Sequence, residues 1–352
     1  MDAHYLPAGQ QHARTHWGTH ESGAAFDRKK TTYLTEQAQA FIEQQALCVI
    51  AGLGQEDELC GLITVGTPGF VSTPGRQTCL LRLDPQFRNA HIIQRLRRAT
   101  NAGWDAQLGL FFICHPTRER LCVQGTADLL PGSLPLLQRL FAPSKEILVR
   151  IHVRQAFFHC AKYIKTRVVG LTAPVTVPSE QLWQPSDLLG CSQSYLSEAM
   201  RAFIADQVLC FLCTVDQHGQ CAVNHRGGAA GFLVALPPNS ASPGGMILLP
   251  DYAGNGAFEA IGNILETGQA ALVIPNYAAQ LALRVSGRAC VVSLDELSPE
   301  LAEKCVGAER VVALAVQRVE TQSGDWSTAL AYERNRAEAL LKARDLVAAC
   351  PI

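Results

Sequence analysis

The chain has 352 residues, of which 48% are hydrophobic and 17% charged, so it can form two domains with substantial apolar cores. The net charge of −1, from 30 basic and 31 acidic residues, disfavours a nucleic-acid-binding protein. We expect no membrane contact and a cytoplasmic location, because no apolar run approaches the roughly 18 residues of a membrane-spanning helix and the first residues do not resemble a signal peptide. The 13 cysteines lie mostly in apolar runs, which predicts reduced, buried thiols.

Two similar series of elements are predicted along the chain. After a polar arm at residues 1–30, the first series is a helix at 35–45, strands at 47–51, 61–65, 70–71 and 78–83, a helix at 91–102, and strands at 108–114, 120–127 and 147–153. The second series is a helix at 197–206, strands at 209–215, 220–225, 231–236 and 246–249, a helix at 257–266, and strands at 270–274, 281–292 and 311–319. A closing helix is predicted at 327–349, because that segment is rich in Ala, Leu, Glu, Arg and Lys.

The two series are copies of one unit. Three pairs of similar segments share the same offset of 162 residues, namely 40–48 with 202–210, 66–70 with 228–232, and 123–127 with 285–289. A constant register over such distances is the signature of an internal repeat. We therefore predict a first unit at 31–170, a proline-containing linker at 171–195, a second unit at 196–320 and a C-terminal helix at 321–352. About six strands and one inserted helix per unit favour a mainly β (α+β) fold of two small antiparallel barrels.

The second unit contains a candidate anion-binding loop at 224–232. There Arg226 precedes Gly227 and Gly228, and a fixed guanidinium beside bare backbone allows an anion such as a cofactor phosphate to approach closely. In the first unit the counterpart of Arg226 is Thr64, which cannot carry that charge. We therefore predict one principal site, in the second unit, and a turn kept for structural reasons in the first.

These segments resemble motifs of the split-barrel flavoproteins of the pyridoxamine 5′-phosphate oxidase type. That family has an Arg-Gly loop ending in Gly-Phe, then Pro-Asp-x-x-Gly-Asn, an Asn-Ile pair and Leu-Arg-Val-x-Gly, which correspond here to 225–232, 250–255, 262–264 and 283–289. Segments 20–23, 117–120 and 159–167 also resemble the tandem, two-barrel branch. The chain departs from the family pattern at Ala161, at Ala230 and in the order of residues 21–23.

The resemblance implies two tandem split β-barrels that form a pseudo-dimer within the chain, with flanking helices and with FMN bound in the groove between the barrels. It implies an oxidoreductase acting on a small molecule, with oxygen, a nicotinamide or a redox partner completing the electron transfer. The cofactor contacts that it implies are His225, Arg226, Gly227, Gly228, Tyr252, Asn255, Asn263, Lys162, Tyr163, Arg167 and Arg284. No catalytic side chain and no metal site are predicted.

Several alternatives stay open from the residues alone. Arg226 also suits a glycine turn at the surface, Asn255 a helix cap, Tyr252 the barrel rim, and Arg284 a salt bridge. His225 suits either a flavin contact or proton relay, or a hydrogen-bonded structural role. The protein as a whole is an enzyme, a non-catalytic flavin or haem binding or storage protein with a His ligand, or a scaffold, and either a monomeric pseudo-dimer or a homodimer.

Overall fold

Each half of the chain folds into one curved antiparallel sheet, and the two sheets have the same strand order. The computed structural model describes residues 6–115, 117–130, 146–159 and 182–348. Within these ranges the protein is mainly β, with two barrel-like halves and a few helices, which confirms the predicted tandem fold. No helix among these residues is long and apolar enough to cross a membrane.

The first unit follows two helices in the segment predicted as a polar arm, α1 (Ala8–His16) and α2 (His20–Asp27). Its own elements are α3 (Glu36–Glu43), β1 (Leu47–Leu53), β2 (Leu59–Val65), β3 (Val71–Gly75), β4 (Thr78–Leu83), α4 (His91–Ala102), β5 (Ala106–Cys114), β6 (Glu119–Leu129) and β7 (Ile147–Phe158). The strand order is β2-β1-β5-β6-β7-β4-β3.

The second unit repeats this arrangement after a short connecting part. Its elements are α5 (Pro185–Leu188), β8 (Ser192–Gln193), α6 (Glu198–Asp206), β9 (Leu209–Val215), β10 (Cys221–Gly227), β11 (Val234–Leu236), β12 (Met246–Asp251), α7 (Glu259–Thr267), β13 (Gln269–Asn276), β14 (Leu281–Val292), α8 (Pro299–Lys304), β15 (Arg310–Ser323) and α9 (Ser327–Ala348). The order is β10-β9-β13-β14-β15-β12-β11, with β8 added beside β15.

Local details repeat as well as topology. Thr35 and Ser197 occupy equivalent positions and cap α3 and α6, where each hydroxyl accepts a hydrogen bond from the backbone three residues on. The longest pair of strands in each unit is bulged at the same place, beside Gly125 and beside Gly287. The predicted repeat is therefore visible in caps and bulges, and each sheet has seven main strands, one for each strand segment predicted in its series.

The core explains why strands β1, β5, β9 and β13 are apolar on both faces. In β1, Cys48 and Ile50 belong to the interior of the first barrel, whereas Val49 and Ala51 belong to a separate cluster shared with the second unit. That shared cluster contains Phe111 and, from the second unit, other side chains such as Phe211, Val223 and Val273. A strand buried on both faces reads as a continuous apolar run, because neither face meets water. The two barrels therefore pack face to face, as the pseudo-dimer prediction requires.

The closing helix α9 buries a carboxyl group against this interface. Glu333 is 4% exposed, and neither of its carboxylate oxygens accepts a hydrogen bond from an N–H or O–H group among the described residues. Arg336, one turn further on, bonds instead to Gln44. Desolvation raises the pKa of Glu333 to about 7, although Arg336 and the thiol of Cys114 act in the opposite direction. Tyr277 faces the same carboxyl group, and its own pKa is raised by burial and then by Glu333.

We predict that Gly66→Ala and Gly228→Ala destabilise the protein to a similar degree. A Cβ at Gly66 would lie 2.5 Å from the Cβ of Phe70, and one at Gly228 would lie 2.5 Å from that of Phe232. Overpacking of this kind costs about 1–3 kcal/mol of unfolding free energy. Chemical denaturation measures it, with Gly75→Ala as the control, because nothing lies within 4 Å of a Cβ at Gly75. A loss at only one of the two positions would show that the turns are not equivalent.

We predict that Glu333 makes the protein less stable as the pH rises. Its pKa in the fold is raised from about 4.5 to about 7, so the stability associated with the protonated group is complete below 4.5 and is lost as the pH rises through 7. The difference is about 3 kcal/mol by linkage. Glu333→Gln should remove that part of the pH dependence in denaturation curves, while Glu338→Gln, at an exposed position of α9, should retain it. Equal pH profiles for Glu333→Gln and the parent would contradict the assignment.

Candidate functional site

Strand β10 carries the predicted site residues at the edge of the second sheet. Because side chains alternate along a strand, His225 and Arg226 point to opposite faces. The ring of His225 lies 6.0 Å from that of Phe211, in the cluster shared with the first unit. Arg226 stands opposite Cys210, which belongs to the core of the second barrel. The two residues therefore line different surroundings, one between the units and one at the open side of the barrel.

Arg226 is held by a carboxylate, so it is not the solvent-exposed arginine of a surface turn. Its guanidinium pairs with Asp251, whose other oxygen accepts a 2.8 Å hydrogen bond from Arg310. Asp251 ends β12 and Arg310 begins β15, so the Arg226 pair joins the two sides of the curled sheet. The side chains of Arg226, Asp251 and Arg310 are 22%, 7% and 4% exposed. Arg310 also pairs with Glu309, so the four ion-paired groups together are neutral, and Nε of Arg226 has no hydrogen-bond partner among the described residues.

The glycines after Arg226 serve the turn. The amide of Gly228 donates to the carbonyl of Val208 at 3.0 Å, and the equivalent amide of Gly66 donates to Ala46 at 3.1 Å. The predicted contribution of the Gly228 amide to an anion cradle is therefore weakened, because its hydrogen is already bonded. Gly227 is the last residue of β10 and is paired across to Leu209. The first unit, which lacks the arginine, has the same turn at Gly66.

The remaining second-unit candidates are placed by their own contacts. Nδ2 of Asn263 donates to Thr214 at 3.1 Å and ties α7 to β9. Oδ1 of Asn255 accepts from the amide of Ala257, and α7 begins later with Phe258 as its N-cap, so Asn255 is not the cap of that helix. Tyr252 packs against an apolar cluster at the end of the barrel, formed with Val234, Leu248, Val311 and residues near α8.

Two further histidines lie with His225 between the units. Desolvation lowers the pKa of His115 to about 4 and that of His159 to about 3, with Arg120, Lys30 and Arg226 adding to the effect at His159. The pKa of His225 is held well below its usual value by desolvation first, and then by the neighbouring histidines and arginines. All three imidazoles are therefore neutral near pH 7, and each can accept a hydrogen bond at one nitrogen and donate from the other.

A thiol links this histidine group across the interface. Sγ of Cys122 lies 3.0 Å from Nε2 of His159 and 3.1 Å from the carbonyl oxygen of Val223 on β10. Burial raises the pKa of the Cys122 thiol, so it stays protonated and acts as a hydrogen-bond donor. Nε2 of His115 lies 3.4 Å from the hydroxyl of Tyr277. Nδ1 of His115 and Nδ1 of His225 are buried and have no hydrogen-bond partner within the described ranges.

The pseudo-equivalent position on the first unit is built differently. There Ile63 and Thr64 of β2 replace His225 and Arg226. The side-chain amide of Gln322 bonds both backbone groups of Ile63, with its Oε1 3.1 Å from the amide nitrogen. An edge strand that bonds a partner side chain in this way has fewer groups left for a ligand. The predicted asymmetry between the two units is therefore present in the contacts as well as in the sequence.

An ion-pair network surrounds the position of Ile63 and Thr64 on β2. Glu58 pairs with His91 at 2.6 Å, and Arg284 pairs with Glu320 at 3.0 Å. Arg318 approaches both carboxylates, at 3.8 Å from Glu58 and 3.5 Å from Glu320. Arg284 thus forms the salt bridge that was one of its two interpretations, and the structure places it beside β2, away from the Arg226 triad. Arg284 therefore lies near the first-unit counterpart of the Arg226 position, and not near Arg226 itself.

Some predicted residues remain without a structural account. Lys162, Tyr163 and Arg167 lie outside the described residues. No group of three potential metal ligands occurs within the part of the chain that the structure describes. Sequence reasoning did not select His115, Cys122, Asp251 or Arg310 as site residues. The sequence showed that neighbouring side chains on β10 point to opposite faces. It did not show which of the two faces would pack against the first unit.

Residues 196–323 match the family model described as pyridoxamine 5′-phosphate oxidase. No curated protein sequence matches the chain. Among solved structures, HupZ of Group A Streptococcus is 15% identical, with 36% of this chain and 94% of that one covered and a TM-score of 0.29.

Two further solved structures are similar over one unit. A putative pyridoxamine 5′-phosphate oxidase of Lactobacillus delbrueckii is 23% identical over 36% of this chain and 94% of that one, with a TM-score of 0.29. HutZ, the haem storage protein of Vibrio cholerae, is 13% identical over 37% and 94%, with a TM-score of 0.24. The family model that matches residues 196–323, the unit that carries Arg226, confirms the resemblance read from the motifs of that unit.

Proposed function

We propose that the chain is an FMN-binding flavoprotein that holds the cofactor at the boundary between its two units, beside β10. The observation that carries the proposal is a pair of buried nitrogen atoms on one face of β10 that lack partners among the described residues, Nδ2 of Asn224 and Nε of Arg226, together with Nδ1 of His225 on the opposite face. Buried polar groups in proteins are normally bonded, so such a set fits a ligand with several acceptor oxygens. The family match over the same unit supports a flavin.

The charges fit the phosphate of FMN. Arg226 shares the carboxylate of Asp251 with Arg310, which also pairs with Glu309, and Lys30 and Arg120 lower the pKa of nearby His159 by their own positive charge. A guanidinium that is already oriented by a carboxylate loses little further freedom when it bonds a phosphate oxygen. In this proposal Arg226 contacts the phosphate, and neutral His225 contacts a polar group of the flavin ring from the opposite face of β10.

FMN, when bound, supplies the electron-transfer chemistry of an oxidoreductase. The residues of the chain bind the cofactor, orient it and exclude water, and neutral His225 can hold or pass a proton at Nδ1. We propose a small molecule as substrate, with a nicotinamide or a redox protein as electron donor. No side chain is assigned a catalytic role.

Haem binding is the second candidate function. Neutral imidazole is the form that ligates a metal, and burial keeps His115, His159 and His225 neutral. In that case the chain would be a haem binding or storage protein, and a Soret absorption band should disappear on replacing one of these histidines. Mass spectrometry of the released cofactor, with its amount per chain, separates the two functions. We expect FMN at one molecule per chain.

We predict that Arg226→Ala weakens FMN binding by about 10- to 100-fold, because a charge-assisted hydrogen bond to phosphate is lost. Thr64→Ala, at the equivalent position of the first unit, should bind FMN like the parent. Fluorescence titration with FMN measures both. Since Arg226→Ala also breaks the pair with Asp251, circular dichroism must show a folded protein, and Arg226→Lys serves as a milder variant that keeps the charge. Parent-like affinity in Arg226→Ala and Arg226→Lys would refute the phosphate contact.

A further inference from the structure

The two arm helices pack on the second unit and cover the segment that follows Asp251. The backbone amide of Gly9 donates to Glu266 on α7 at 2.6 Å. Arg14, which is 2% exposed, donates from Nε and Nη2 to the carbonyl oxygen of Ala257 at 3.2 and 3.1 Å. Asp27 on α2 binds the same guanidinium at 2.6 Å. A buried arginine with a bidentate carboxylate and a backbone acceptor fixes the arm in one position.

The arm also supplies one wall of the Arg310 site. The guanidinium carbon of Arg310 lies 4.5 Å from the centre of the Trp17 ring and 4.6 Å from that of Phe258. The two rings also contact each other, with centroids 5.3 Å apart, so Arg310 packs against one side of this aromatic pair. A cation beside aromatic rings is stabilised by them, and more strongly where water is excluded. Arg310 is 4% exposed, so the rings take the place of its hydration and leave its nitrogen atoms directed at Asp251 and Glu309.

These contacts form an unbroken chain from the arm to β10. Trp17 contacts Arg310, Arg310 bonds Oδ2 of Asp251, and Oδ1 of Asp251 holds Arg226. We propose that Trp17 and Arg310 are positioning residues for Arg226, so that the anion site of the second unit is complete only when the N-terminal arm is docked. The consequence for FMN rests on the proposed function, whereas the contact chain itself does not.

The physical reason is the sharing of one carboxylate between two guanidinium groups. While Arg310 bonds Asp251, the carboxylate is fixed at both oxygens, and its negative charge is shared between two guanidinium groups. Without the Trp17 ring, Arg310 gains access to water and its hold on Asp251 weakens. Asp251 then neutralises Arg226 alone and no longer has a fixed orientation. Arg226 is then more fully neutralised by Asp251 and loses its fixed placement at the edge of the barrel.

The first test uses the full chain without added cofactor. Amide hydrogen exchange in residues 224–228 should become severalfold faster in Trp17→Ala and stay close to the parent in Trp17→Phe, which keeps an aromatic face. Trp104→Ala is the matched control, because Trp104 also stacks on an arginine, Arg95, at 5.2 Å, but on the first unit. Residues 59–65, the equivalent edge strand, serve as the internal reference. If Trp17→Ala speeds exchange only beneath the arm, at 256–267, and not at 224–228, the arm is merely a cover and the proposal is refuted.

The second test is an FMN titration of the same variants. We expect affinity to fall about tenfold in Trp17→Ala, to recover in Trp17→Phe and to be unchanged in Trp104→Ala. Unchanged affinity in Trp17→Ala, with a parent that binds FMN, would overturn the role of the arm in the site. A parent that binds no FMN would refute the proposed function instead, and the exchange experiment would still decide whether the arm positions Arg226.

Discussion

The apolar contact between the outer faces of the two sheets is the constraint on which the rest of the structure depends. Strands β1, β5, β9 and β13 each bury one face in their own barrel and the other against the opposite unit. Burial of apolar surface on both faces leaves little tolerance for a polar side chain unless it has a partner. The histidines, the Cys122 thiol and Tyr277 are polar groups at this boundary. Each of them has lost contact with water there.

The two edges of this interface have diverged in opposite ways. On one edge, β10 presents His225 and Arg226 together with buried nitrogen atoms that no described residue bonds. On the other edge, Gln322 bonds the backbone of Ile63, and charged side chains from both units surround it. The same scaffold thus supports polar side chains with unbonded nitrogen atoms on one side and a network of ion pairs on the other. A fold made of two copies permits this because each copy can change without altering its counterpart.

Much of the fold was predictable because its signals are local or periodic. The repeat, the strands and the α4 bounds follow from residue spacing, and the turn at Gly228 follows from its glycine-rich sequence. The site was less accessible. The Arg226 motif was identified, but its pairing with Asp251 joins residues 25 positions apart, and Arg310 is a further 59 positions on from Asp251. Docking of the arm on α7 was not predicted, because segment 1–30 looks polar and its buried Arg14 is satisfied only by tertiary partners.

One contact at the interface has a meaning that depends on symmetry. His115 and Tyr277 are 162 residues apart, which is the repeat offset, so they occupy the same position in the two units, and they touch each other. Residues related in this way can meet only on the axis that relates the units. In a dimer of identical chains, a residue on that axis faces its own copy, and two like groups must share one hydrogen bond. Joining both units in one polypeptide removes that restriction, and here it lets an imidazole face a phenol.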